Sequence, residues 1–237
     1  MTTVWNCGKI LRGTSCALLV LNQPLNGPQC ELLSKLWPHA TLRVTVDGGS
    51  NRLFESLPEL TPDLITGDLD SIRDDVRETF EKRGTLIVRT IDQSFTDFTK
   101  CLRVISTRPE NFDNILAFCT SGGRFDQVMA NINTLYRSAC ILPKPVILHS
   151  GREITWVLPP GKHRILTHMD MVDMNCGLLP IGSAVVATTT GLRWELKSTK
   201  LAFSELVSTS NKIASNEIFI QTDEPIVWTM STEREAS

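Results

Sequence analysis

Through its first 150 residues the chain alternates between two hydrophobic periods, and the alternation stops at Gly151. Short apolar runs have the length and continuity of strands buried on both faces: Cys16–Leu21, Leu42–Val46, Asp63–Thr66, Thr85–Arg89, Asn114–Cys119 and Pro145–His149. Between them lie stretches with apolar residues at helical spacing. Gln29–Trp37 carries Leu32, Leu33 and Leu36, and Ile72–Arg83 carries Ile72, Val76 and Phe80. Thr96–Ile105 carries Phe98, Leu102 and Ile105, and Arg124–Ala139 carries Val128, Ile132, Leu135 and Ala139. Thr96 is placed to cap one helix at its start and Gly84 to end another. Such a chain folds as α/β: an open, mainly parallel sheet with flanking helices and right-handed crossovers.

After Gly151 no helical period is found. Strand-like pieces run Glu153–Leu158, Lys162–Leu166, Cys176–Pro180, Ala184–Thr190, Gly191–Leu196, Leu206–Ser208, Glu217–Gln221 and Ile226–Met230. Turn residues such as Pro159-Pro160-Gly161 and Asp223-Glu224-Pro225 separate them. About eight short strands in about 85 residues predict a small all-β, antiparallel sandwich or barrel. The expected domains are therefore residues 1–150, α/β, and residues 151–237, β.

Composition excludes several classes. Lys and Arg number 24 against 26 Asp and Glu, a formal net charge of −2, so no clustered positive field invites nucleic acid. No apolar window is long enough to span a membrane or to form a signal-peptide core, and a cytoplasmic protein is expected. The seven cysteines form no C-x-x-C pair, which argues against both a disulfide framework and a zinc site. The P-loop, G-x-G-x-x-G and G-x-S-x-G motifs are absent.

The informative feature is where the carboxylates fall. Val44-Thr45-Val46 runs into Asp47-Gly48-Gly49, and Leu64-Ile65-Thr66 runs into Gly67-Asp68-Leu69-Asp70-Ser71. Ile87-Val88-Arg89 leads to Asp92-Gln93-Ser94-Phe95-Thr96-Asp97, and Phe118-Cys119-Thr120 leads to Ser121-Gly122-Gly123-Arg124-Phe125-Asp126. In an open parallel sheet these strand ends share one edge, the edge at which ligands bind. Asp47 or Asp97 alone is explained as a helix cap, but Gly67-Asp68-Leu69-Asp70-Ser71 spends two charges where one cap would do. Together these carboxylates would repel one another unless a cation sits among them, and hard carboxylate oxygens suit Mg²⁺ shared with substrate phosphates. Gly48, Gly49, Gly122 and Gly123 would let backbone N–H groups approach phosphate, with Arg52, Lys100 and Arg124 as cationic partners. The composite reads as a metal–polyphosphate site.

These segments resemble the thiamine pyrophosphokinase family, the animal type most. The resemblance is carried by Asp47-Gly48-Gly49-Ser50-Asn51, Gly67-Asp68-Leu69-Asp70-Ser71, Asp92-Gln93 with Thr96-Asp97-Phe98-Thr99-Lys100, and Gly122-Gly123-Arg124-Phe125-Asp126. It continues through Thr188-Thr189-Thr190-Gly191-Leu192-Arg193-Trp194 and Leu206-Val207-Ser208-Thr209-Ser210-Asn211. It implies transfer of a pyrophosphoryl group from ATP to thiamine, giving thiamine diphosphate and AMP, with Mg²⁺, in a homodimer with active sites at the subunit interface. It also implies roles. Asp68, Asp70 and Asp97 would hold the metal. Asp70, Asp97, Lys100 and Asp126 would act in catalysis. Asp47, Asn51, Gln93 and Arg124 would position the nucleotide, and Trp194, Ser208, Ser210 and Asn211 would face thiamine. On the residues alone Trp194 is explained as a sandwich-core residue. Two other readings stay open on the residues alone: a Mg²⁺-dependent phosphohydrolase with water as acceptor, and a non-catalytic thiamine- or nucleotide-binding module.

Overall fold

The computed structural model describes residues 2–13 and 15–232. Residues 13–151 form one compact unit, and residues 2–12 join those from 152 onward in a second. The N-terminal boundary thus differs from the expected division at residues 1–150. The reason is strand β1 (Thr2–Asn6), which pairs in parallel with β9 (Gly161–Leu166) of the β unit, with Thr2 opposite Lys162 and Asn6 opposite Leu166. A short helix, α1 (Cys7–Arg12), follows it. Its alternation was too short and too polar to read in Thr2–Asn6.

In the first unit the strands are β2 (Cys16–Val20), β3 (Leu42–Val46), β4 (Leu64–Gly67), β5 (Leu86–Arg89), β6 (Asn114–Cys119) and β7 (Val146–Ser150). All their pairings are parallel, in the order β7-β6-β2-β3-β4-β5. β2 and β6 are buried throughout, which is why they read as unbroken apolar runs. The helices are α2 (Gly27–Leu36), α3 (Gly49–Ser56), α4 (Asp74–Lys82), α5 (Asp97–Ser106) and α6 (Phe125–Ser138). Thr96 caps α5, its Oγ1 accepting from the Thr99 N–H at 3.2 Å. Gly84 follows α4 with φ 93°, the left-handed turn that favours glycine after a helix. Buried Gln29 on α2 donates to the carbonyls of Cys119 at 2.6 Å and His149 at 3.0 Å, tying that helix to the ends of β6 and β7.

Helix α3 lacked a legible period because Leu53 is its only buried large apolar residue. Its glycine has a steric cause. A Cβ on Gly49 would lie 2.2 Å from the Val20 carbonyl oxygen, so only glycine lets α3 start this close to β2.

Strand order reverses between β2 and β6. Successive crossovers step outward from β2 to β5, and the chain then returns to the other side of β2. This is a topological switch point, where the loops leaving adjacent strands part and open a crevice.

The second unit contains two sheets. One runs β1-β9-β14-β11-β12, with β11 (Val185–Thr190), β12 (Thr199–Leu201) and β14 (Glu217–Thr222). The other groups β13-β10-β15-β8, with β8 (Glu153–Leu158), β10 (Asn175–Leu179), β13 (Ser208–Lys212) and β15 (Ile226–Ser231). Burial alternates along β8, β11 and β14, as one face of each packs inward. Trp156 and Trp228 are fully buried in this core, and Trp5 packs on Trp156 at a centroid distance of 5.5 Å.

One expected strand is absent. Gly191–Leu196 is a turn, because the Glu195 carboxylate accepts from the N–H groups of Gly191 and Leu192 at 2.7 and 3.0 Å. β12 takes the place beside β11 instead. Among the described residues no helix is long and apolar enough to cross a membrane. All seven cysteines are free thiols.

Candidate active site

The carboxyl ends of β3, β4 and the loop after β5 bring three carboxylates together. Oxygens of Asp47, Asp68 and Asp97 all lie within 4.8 Å of one another. Asp47 follows β3 with φ 46°, a left-handed conformation unusual for a non-glycine residue, and is only 3% exposed. Its backbone N–H donates to the Thr66 carbonyl at 2.7 Å, and its Oδ1 accepts from the Ser71 N–H at 3.3 Å. Burial pushes its carboxyl above the ordinary value, and the Asp97 charge adds to the rise against the lowering by Ser71 and Gly48. Asp68 goes the other way. Burial raises it, but the Asp70 backbone N–H, the Lys100 ammonium and the Gln93 amide together hold it below the usual range.

Lys100 sits among them, only 4% exposed. Its Nζ lies 2.7 Å from Asp97 Oδ1 and 3.7 Å from Asp68 Oδ2, and donates to the Thr90 carbonyl at 3.3 Å. Position four of α5 places it one turn inside the helix that Asp97 begins. Asp97 Oδ1 is buried and makes no well-directed hydrogen bond, despite the short ion-pair distance to Lys100. A buried carboxylate oxygen left in that condition, within a set of hard oxygen donors, fits a Mg²⁺ site. One ammonium does not neutralise three carboxylates.

The other expected residues divide. Asp70 is exposed and outside the trio. Its Oδ1 accepts from its neighbour Ser71 Oγ at 2.8 Å, and Asp47 is the third carboxylate grouped with Asp68 and Asp97. Gln93 donates to Asp68 Oδ2 at 3.4 Å. Asn51 is spent on structure: its Nδ2 donates to the Ser71 carbonyl at 2.8 Å and its Oδ1 accepts from the Arg73 N–H at 3.0 Å, clamping the loop after β4. Arg124 and Asp126 form an exposed pair at 2.5 Å, and that guanidinium holds the Asp126 carboxyl below its usual value.

Beside the trio opens a cleft of about 450 Å³, whose lining includes Asp47, Asp97, Arg52, Gly122, Gly123 and Arg124. It lies at the switch point, so the end of β2 contributes too. Leu21, Asn22, Gln23 and Pro24 line it, with Asn131 of α6. Gln23 Oε1 accepts from the Thr120 N–H at 2.9 Å and from Asn131 Nδ2 at 3.4 Å, bridging the ends of β2 and β6. A search for charge at strand ends passes over this uncharged segment. The strand order would have found it. Gly123 has φ 80° and open space where a Cβ would be.

The four remaining expected residues lie in the second unit. Trp194 is 56% exposed, not a core residue, and Arg193 lies 5.5 Å over its ring. Buried Asn211 accepts from the Trp194 N–H at 3.1 Å and donates to the Trp194 carbonyl at 2.8 Å, so it fixes that loop. Ser208 is buried at the start of β13, and exposed Ser210 has φ 55°.

Comparison with known proteins follows the same division. Residues 33–142 match the thiamin pyrophosphokinase catalytic domain, and residues 162–227 match the thiamin pyrophosphokinase vitamin B1 binding domain. Thiamine pyrophosphokinase 1 of Oryza sativa subsp. japonica is 38% identical over 234 residues, covering 91% of this chain and 86% of that protein. Thiamine pyrophosphokinase 1 of Arabidopsis thaliana is 36% identical over 248 residues, covering 96% and 90%. The structure of thiamin pyrophosphokinase from Candida albicans superposes with a TM-score of 0.84 at 25% identity, covering 97% of this chain and 93% of that one. Matches of this extent, in both units, establish that the chain belongs to the thiamin pyrophosphokinase family.

Proposed function

We propose that this chain is a transferase that moves the terminal pyrophosphoryl group of ATP to the hydroxyethyl oxygen of thiamine, releasing AMP and thiamine diphosphate. The supporting observation is the Asp47–Asp68–Asp97 trio around buried Lys100, beside a switch-point cleft, in a chain whose two parts match a catalytic and a vitamin B1 binding domain. In this reading the trio holds Mg²⁺, which when bound neutralises phosphate charge. Lys100 keeps the carboxylates together and adds a positive charge beside the phosphates. Gly122, Gly123 and the start of α6 offer backbone N–H groups to phosphate, with Arg52 and Arg124 as cationic partners. Gln93 orients Asp68, and Asn51 holds the loop that carries it.

The acceptor oxygen forms a bond to the β-phosphorus as the bond from that phosphorus to the AMP oxygen breaks, so catalysis is chiefly positioning and charge stabilisation. The hydroxyl proton must leave. Asp97, paired with Lys100, and Asp126, paired with Arg124, are the two carboxylates proposed to accept it. Trp194 offers an exposed aromatic face to the cationic thiazolium ring, and Ser208, Ser210 and Asn211 shape the same loop region. Asp70, exposed beside the trio, serves the loop after β4 or the outer shell of the ion. The proposal extends to a cytoplasmic homodimer with active sites at the subunit interface, as the family resemblance implies; sedimentation equilibrium reads two chains per particle if it holds.

AMP release from ATP and Mg²⁺, followed with and without thiamine, tests the reading. Release that depends on thiamine and falls at least about a hundredfold in Asp97→Asn supports it. Equal release without thiamine contradicts it.

A further inference from the structure

The loop between β5 and α5 carries Gln93 and leads into Asp97, yet it is exposed over residues 91–94. Something must hold it. Phe95 lies in this loop with two guanidiniums over its ring: Arg103 Cζ of α5 at 3.7 Å from the centroid and Arg137 Cζ of α6 at 4.6 Å. Arg103 also reaches Asp92 Oδ2 at 3.5 Å, so one side chain grips the loop at both ends. Asp92 Oδ1 in turn accepts from the Ser94 N–H at 2.8 Å. Between those grips sits Gln93, whose amide donates to Asp68 Oδ2, the oxygen 3.7 Å from Lys100.

We propose that Phe95, gripped by Arg103 and Arg137, is a positioning residue that holds the Asp92–Thr96 loop so that Gln93 stays on Asp68 and the start of α5 stays at the acidic trio. A guanidinium stacks on the face of an aromatic ring because the ring's negative quadrupole attracts it, and two such contacts on one side chain make it an anchor. The contact joins α5 and α6, the helices that begin with Asp97 and with the Arg124–Asp126 pair respectively. Without it the loop keeps the Asp92 turn, the Arg103–Asp92 pair and the bonds of Thr90 and Thr96 at its two ends, but the stretch from Gln93 to Phe95 loses its side-chain anchor on the helices, and the 3.4 Å bond from Gln93 is left on a looser backbone. The inference rests on the reading of Asp68 and Asp97 as cation-holding carboxylates.

Three variants separate ring from bulk: Phe95→Ala, Phe95→Leu and Phe95→Trp. Amide hydrogen exchange at Ser94 and Thr99 is measured in the cation-free protein, and Mn²⁺ affinity by electron paramagnetic resonance. Phe95→Ala and Phe95→Leu are expected to speed exchange and weaken Mn²⁺ binding about tenfold, while Phe95→Trp keeps both near wild type. Wild-type exchange in Phe95→Ala overturns the proposal, and so does protection in Phe95→Leu equal to that in Phe95→Trp. Exchange is read without cation or substrate, so a wild-type protein that fails to bind Mn²⁺ overturns the cation reading alone, whereas unchanged exchange overturns the role of Phe95.

Discussion

Replacing Lys100 by Met tests the electrostatics of the site without touching a carboxylate. Met keeps an unbranched stem of similar length, so the packing of α5 against β4 is largely retained. What is lost is the ammonium 2.7 Å from Asp97 and 3.7 Å from Asp68. Breaking a buried pair on one side costs about 3–5 kcal/mol, because the remaining charge is left uncompensated. Asp97 is about one-third exposed (side chain 32%), so water screens part of that loss and the lower end, ~3 kcal/mol, applies. For a chain of this size that lowers Tm by roughly 6–12 °C. The sign of the pH dependence follows. In the native protein Asp68 titrates below its unfolded value, so its stabilisation is full above that unfolded value and is lost as pH falls through the depressed one. In Lys100→Met the carboxylates repel one another unshielded and take up protons more readily, so the penalty shrinks as pH falls. Urea unfolding followed by circular dichroism at about pH 7 and about pH 5 should show the variant's deficit to be smaller at the lower pH. Excess Mg²⁺ should recover part of it at neutral pH, because the cation binds the folded cluster and not the unfolded chain. A variant as stable as wild type, or a deficit that does not change with pH, refutes the reasoning.

Other perturbations probe separate links. Asp97→Asn should reduce turnover more than Asp70→Asn, since only Asp97 belongs to the trio; steady-state kinetics with the two variants side by side would show the reverse order if the cluster were misread. Gly67→Ala should cost about 1–3 kcal/mol and weaken Mn²⁺ binding, because Gly67 has φ 146° and its Cβ would lie 2.7 Å from the Asp47 Cβ. A substitution neutral in both thermal melts and Mn²⁺ titration would contradict that. Burial holds His149 down to about 4, so the folded state keeps it neutral and stability should fall as pH drops from 6.5 toward that value, by roughly 3 kcal/mol in all. His149→Phe should flatten that stretch of a urea-midpoint profile, and an unchanged slope would assign it to other groups.

The fold was legible where one physical signal dominated. Strands β2, β3 and β6 are buried on both faces and so appear as unbroken apolar runs, and the Thr96 cap matches its hydroxyl-to-N–H bond. The reading ran out where tertiary contact decides. β1 is held by its pairing with β9 and by Trp5, whose indole N–H donates to His163 Nδ1 at 3.1 Å, and none of this is periodic. Gly191–Leu196 has strand-like residues, but the Glu195 carboxylate captures the N–H groups a strand would need. In the site, charge at strand ends pointed to Asp47, Asp68, Asp70, Asp92, Asp97 and Asp126 alike, with the metal expected on Asp68, Asp70 and Asp97, while the structure groups Asp47 with Asp68 and Asp97. Leu69 has φ 68°, and that left-handed residue separates Asp68 from Asp70 by geometry, not by composition. Asn51 and Asn211 show the opposite case. Both lie in motifs of the family, and both spend their amides on holding loops.

The central claim is pyrophosphoryl transfer to thiamine, and the fate of a label tests it most directly. ATP carrying radiophosphorus at either the β or the γ position is incubated with the protein, thiamine and Mg²⁺, and the products are separated. The account predicts that both labels appear together in thiamine diphosphate, with one unlabelled AMP formed for each. Label recovered as free phosphate or pyrophosphate, or a labelled γ-phosphate on thiamine with ADP as the other product, would contradict it.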